Sequence, residues 1–113
     1  MLISVENQPS CFNHLPKHYN WYGLYYKKEL YGYIGLEVVG NVASFHTNIK
    51  KWTIETSKEL HKDWEILKSL CKQQNVKIAI ASNANTNDKK WVKFIKMFGF
   101  PEPELVWISQ QEI

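Results

Sequence analysis

The chain has 113 residues, 44% of them hydrophobic and 14% aromatic, with a formal net charge of +3. A chain of this length fits one domain and buries roughly two-thirds of its unfolded surface on folding, so length and composition together exclude a disordered protein. All fourteen basic residues are lysine. Without arginine the chain lacks the planar fork that grips phosphates and guanine edges, which argues against a nucleic-acid partner. No apolar run approaches the roughly 20 residues of a membrane span. The N-terminal stretch has neither the basic flank nor the apolar region of a secretory signal. Cys11 and Cys71 form no metal-ligand or redox spacing, and His14, His18 and His61 suggest no metal site either. A cytoplasmic location and no metal are the resulting expectations.

Residues 1–20 hold Pro9, Asn13, Pro16 and Asn20 and read as an irregular lead-in, with a short strand at Leu2 to Val5. Trp21 to Tyr26 is aromatic and strand-prone, and Lys27-Lys28-Glu29 supplies a polar turn. Tyr31 to Val39 is a second strand, where Gly32 and Gly35 mark a bulge or a close approach of backbone. Gly40-Asn41 suits a hairpin turn. Val42 to Ile49 alternates, with Ala43, Phe45, Thr47 and Ile49 on one face and Ser44, His46 and Asn48 on the other. These segments predict an antiparallel meander.

Helical periodicity follows. Leu60, Trp64, Leu67 and Cys71 fall on one stripe, which Ile66 and Leu70 widen, and either Thr53 or Thr56 is placed to cap the helix. The opposite face, with Glu55, Lys58, Glu59, Lys62, Asp63 and Lys68, reads as solvated. Val76 to Ala81 is the next strand, parallel to the one before the helix because a crossover connects them. Trp91, Phe94, Ile95 and Phe98 predict a second amphipathic helix, capped by Asp88 or Thr86 and ended by Gly99. Leu105 to Ile108 is expected to close the sheet. The fold class is mixed α/β: a meander, then helix, parallel strand, helix and strand, in a single domain over residues 1–113 with a single-layer sheet flanked by two main helices.

This element order resembles the core of the GNAT N-acetyltransferase superfamily over residues 21–109. The segment from Asn83 to Phe100, ending in Phe98-Gly99-Phe100, is the most specific local match. The overall character is also similar to small GNAT-like proteins encoded by tailed phages, some of them virion components. The resemblance implies a coenzyme A site in which Phe45, Thr47, Thr53 and Asn83 are the binding candidates and His46 the candidate general base, with Glu37 a second base candidate on the preceding strand. A pyrophosphate of that coenzyme sits in the family in a glycine-rich loop at a helix N-terminus, where backbone N–H groups face the anion.

Two departures weigh against acetyl transfer. The segment Asn48 to Thr56 contains no glycine, and Trp52 and Ile54 are bulky there. The position where many family members carry a proton-donating tyrosine is Ile95, which transfers no proton. The expectation is therefore a binding or structural protein without a cofactor, in a host cytoplasm or a virion. The alternative is an acetyl-CoA-dependent N-acetyltransferase with an atypical phosphate loop. The aromatic hairpin of Trp21, Tyr22, Tyr25, Tyr26, Tyr31 and Tyr33 is either the contact for a protein partner or a second copy of the chain, or is buried under the N-terminal segment. Lys89, Lys93 and Lys96 read as a solvated helix face.

Overall fold

The computed structural model describes residues 1–13, 15, 19–82, 93, 96 and 108–112. Among these, six strands form one sheet in chain order: β1 (Leu2–Val5), β2 (Asn20–Tyr26), β3 (Glu29–Val39), β4 (Val42–Ile49), β5 (Ile78–Ser82) and β6 (Ile108–Glu112). The helix α1 (Ile54–Gln73) crosses from β4 to β5. That pair is accordingly parallel, and all other neighbours are antiparallel. Lys93 and Lys96 are helical and exposed, and the remainder of the second expected helix, with Leu105 to Trp107, lies outside the described residues. Among the described residues no helix is long and apolar enough to cross a membrane.

Alternation along β4 decides which face carries the core. Ala43, Phe45 and Thr47 are buried beneath α1, and their register partners Leu36, Ile34, Ala79 and Ala81 are buried with them. From the helix come Leu60, Trp64, Leu67 and Cys71, the whole of the expected stripe. Ile66 and Leu70 do not widen it: they are 51% and 41% exposed. Leu70 borders an open depression with Asn20, Tyr22 and Val38. β1 stops at Val5, paired to Trp21, before the sheet reaches that flank.

Both short hairpin turns are set by local chemistry. Gly40 has φ +60, which glycine adopts without a steric penalty. The β2–β3 turn is different. Lys27 and Lys28 both have positive φ (49 and 66), the backbone pattern that favours Asn-Gly. A side chain in that region costs roughly 1–2 kcal/mol per residue. Glu29, expected in the turn, begins β3 instead and pairs with Tyr26.

Gly35 accounts for the other face. Trp21 lies opposite it in β2, and a Cβ at Gly35 would sit 2.6 Å from the indole Cζ3. Phe12 and Tyr19 each stack on Trp21 with ring centroids at 5.6 Å, which pins the lead-in segment to the sheet. Gln8 holds the 3₁₀ turn of Ser10–Phe12 by donating its amide to the Phe12 and Leu15 carbonyls.

Near Gly32 the register shifts between Leu24 and Tyr25, and Tyr31 is the residue left without a β2 partner. Its carbonyl accepts the Lys50 N–H at 2.8 Å, and its ring turns under α1, where its hydroxyl donates to Asp63 at 3.2 Å. Asp63 is 1% exposed, a correction to the solvated face expected for it. The Met1 amino group, held by Glu59 and the Tyr25 carbonyl, also reaches Asp63 at 3.4 Å. Burial raises the Asp63 carboxyl pKa, with the Met1 ammonium and the Tyr31 hydroxyl opposing the shift. β5 starts at Ile78 rather than Val76 because the turn that caps α1 takes up the Val76 N–H. Asn75 takes φ +62 and the Val76 N–H returns to the Cys71 carbonyl.

Two outcomes are expected. Gly35→Ala should cost about 1–3 kcal/mol in chemical denaturation, because the Trp21 ring is hemmed in by Phe12 and Tyr19; an unchanged midpoint would show that the ring moves freely. For Asp63, the raised folded pKa means its contribution to stability is fullest below about pH 3.9 and is lost as pH rises through the folded value. Asp63→Asn keeps an acceptor for Tyr31 and removes the charge. Urea unfolding should therefore show the difference in stability moving in the variant's favour between about pH 4 and pH 7. A difference independent of pH would mean the carboxylate is not desolvated.

Candidate functional site

The β2–β3 turn, the end of β4 and the N-terminus of α1 meet at one end of the sheet. Thr53 is the N-cap there: its hydroxyl accepts the Thr56 N–H at 3.1 Å, and the Thr56 hydroxyl accepts the Thr53 N–H at 2.9 Å. Glu59 takes no part in this box. The Thr56 hydroxyl also donates to the Lys51 carbonyl at 2.9 Å, which ties the loop to the helix. Trp52 turns back against the core. Glu55 stands in the first turn, where its carboxyl is held below the usual range by its own backbone N–H, then by the Thr53 hydroxyl, with Lys27 and Lys58 nearby.

A helix N-terminus offers an anion the N–H groups of its first turn. Here the Thr56 N–H is bound to Thr53 and the Glu55 N–H to its own carboxylate. A pyrophosphate would have to displace these groups and approach a carboxylate, along a segment with no glycine to admit it closely. The residues present do not fit a pyrophosphate.

Beside this end lies an open depression of ≈ 260 Å³ lined by Lys27, Glu29, Lys51, Thr53 and Glu55, with Tyr26 and Tyr31 among its walls. Lys51 approaches Glu29 at 3.7 Å. The Lys27 ammonium lies 5.5 Å from the centre of the Tyr26 ring, and that of Lys50 lies 5.1 Å from Tyr33. Among the hairpin aromatics, Trp21 and Tyr31 are 4% and 1% exposed and serve the interior. Tyr22 and Tyr26 pack partly against the core, and Tyr25 and Tyr33 are half-buried. Only four of the six therefore keep surface for a partner.

His46 and Glu37 lie on the sheet face away from α1, since their register partners are Gly35 and Ser44. Tyr19 joins them: its ring meets that of His46 at 5.4 Å, and its hydroxyl is hydrogen-bonded to Glu37. Burial first, and then the Glu37 charge, raise the Tyr19 hydroxyl pKa. Sequence reasoning picked out His46 and Glu37 and missed Tyr19. No spacing in an irregular segment could have pointed to it. Phe45 and Thr47, expected to bind a coenzyme, turn their side chains into the core, where Phe45 meets Trp64 edge-on at 5.0 Å. Asn83 lies outside the described residues. No group of three or more metal-ligating side chains gathers among the described residues.

No protein-family profile and no curated protein sequence matches the chain. Solved structures do. The chain is similar to a PaiA N-acetyltransferase from Thermoplasma acidophilum in complex with coenzyme A, with 15% identity, TM-score 0.61, 82% of this chain and 60% of that one covered. It is also similar to the ribosomal-protein-S18-alanine N-acetyltransferase from Escherichia coli (12% identity, TM-score 0.63, 92% and 75% covered). A third likeness is an N-acetyltransferase from Staphylococcus aureus Mu50 (9% identity, TM-score 0.56, 84% and 68% covered). The chain thus spans less than two-thirds of the Thermoplasma protein's length. At these identities the likeness is one of fold: a mixed α/β sheet of the GNAT N-acetyltransferase kind.

Proposed function

We propose that the chain uses the acetyltransferase fold as a scaffold for binding another protein and does not transfer acetyl groups from coenzyme A. The observation that carries this reading is the closed N-terminus of α1. Thr53 and Glu55 already engage the Thr56 and Glu55 N–H groups, two of the first-turn donors that a pyrophosphate would use. The phage-encoded proteins of similar character extend the proposal to a virion or assembly role, and that extension rests on the resemblance alone.

A second reading, an acetyl-CoA-dependent N-acetyltransferase with an unusual phosphate loop, is favoured by one feature. His46, in register with Ser82, gathers with Tyr19 and Glu37 on one sheet face as a candidate base. In the resembled family the coenzyme arm runs along this strand.

Isothermal titration with acetyl-CoA and with coenzyme A separates the two. The scaffold reading predicts no saturable heat at millimolar ligand, whereas micromolar binding would overturn it. If binding were found, loss of turnover in His46→Ala would then establish the enzyme.

A further inference from the structure

Among the described residues, the end of the sheet beside the α1 N-terminus carries four exposed lysines. Lys27 and Lys28 form the β2–β3 turn, Lys50 and Lys51 follow β4, and all four are exposed. The turn is the telling part. Two consecutive lysines hold positive φ, where asparagine and glycine are the unstrained choice. Backbone strain of this kind tends to persist at working surfaces. Here it sets the Lys27 side chain on the rim of the depression that Lys51, Glu29 and Glu55 also line, with the exposed Lys28 next to it in the turn.

We infer that this lysine-rimmed end is the docking surface for an acidic polypeptide segment. The inference rests on the protein-binding reading above and gives it a location and a partner chemistry. Charge complementarity favours an anionic partner, and two features favour a polypeptide over a nucleic acid. The Tyr26 and Tyr33 rings carry the Lys27 and Lys50 ammonium groups against them, so they are poor platforms for stacked bases. No arginine is present for bidentate phosphate contacts.

The test uses fluorescence anisotropy at low ionic strength with two labelled probes, deca-glutamate and an oligothymidylate of equal length. Deca-glutamate is expected to bind the more tightly. The double variant Lys27→Asn/Lys28→Gly removes both charges and supplies the residues the turn prefers. It should weaken deca-glutamate about tenfold while raising the melting temperature. A raised melting temperature with unchanged affinity overturns the inference, and so does tighter binding of the oligonucleotide. If neither probe binds and coenzyme A gives no heat, this surface is wrong while the protein-binding reading stands. If coenzyme A binds and displaces deca-glutamate, both fall.

Discussion

Tyr31 sits in β3 without a partner in β2; its carbonyl faces the end of β4 and its hydroxyl faces the helix. Its carbonyl receives the Lys50 N–H and, more distantly, that of Lys51, which fixes where β4 gives way to the loop. Its hydroxyl reaches Asp63, half-way along α1, and thereby fixes how the helix lies on the sheet. One inserted residue thus determines both the position and the tilt of the helix N-terminus. The adjacent Gly32 makes room for it: a Cβ there would lie 2.7 Å from the Asn48 carbonyl oxygen. The Met1 ammonium and the Tyr31 hydroxyl partly offset the cost of burying the Asp63 carboxyl, whose pKa burial still raises.

With the helix so placed, its first turn could serve an external anion or its own side chains. The threonine pair and Glu55 choose the second. The consequence is a division within one fold. The architecture of the sheet is that of acetyltransferases, while the feature that would hold the coenzyme's charge has become an intramolecular cap. Function in such a case follows the site and not the fold. The lysine-rich end is then free of a cofactor's demands, and the strained turn at Lys27 and Lys28 shows where the chain has placed charge at a conformational cost.

Much of this was readable from sequence because it depends on local period. The alternation of β4 gave both of its faces correctly, and the spacing of Leu60, Trp64, Leu67 and Cys71 gave the buried stripe of α1. Gly32 and Gly35 announced a bulge and a close approach, and the structure has one beside each. The largest failure involves partners distant in the chain. Asp63 looked solvated because its charge pattern said so, whereas Tyr31 and Met1 contact it from 32 and 62 residues away. Ile66 and Leu70 looked buried because periodicity gives the direction of a side chain but not how closely the sheet packs against it. The His46–Tyr19–Glu37 group was only half legible, since Tyr19 arrives from the segment that stacks on Trp21.

The most direct measurement of the central claim is a backbone amide NMR titration with coenzyme A, read at Glu55 and Thr56. Amides already held by the helix's own side chains predict that these two resonances stay in place at millimolar ligand while the Thr53 and Thr56 hydroxyls keep their bonds. Saturable shifts centred on these amides would show that the cap opens to admit a pyrophosphate, and would return the protein to the acetyltransferases whose fold it shares.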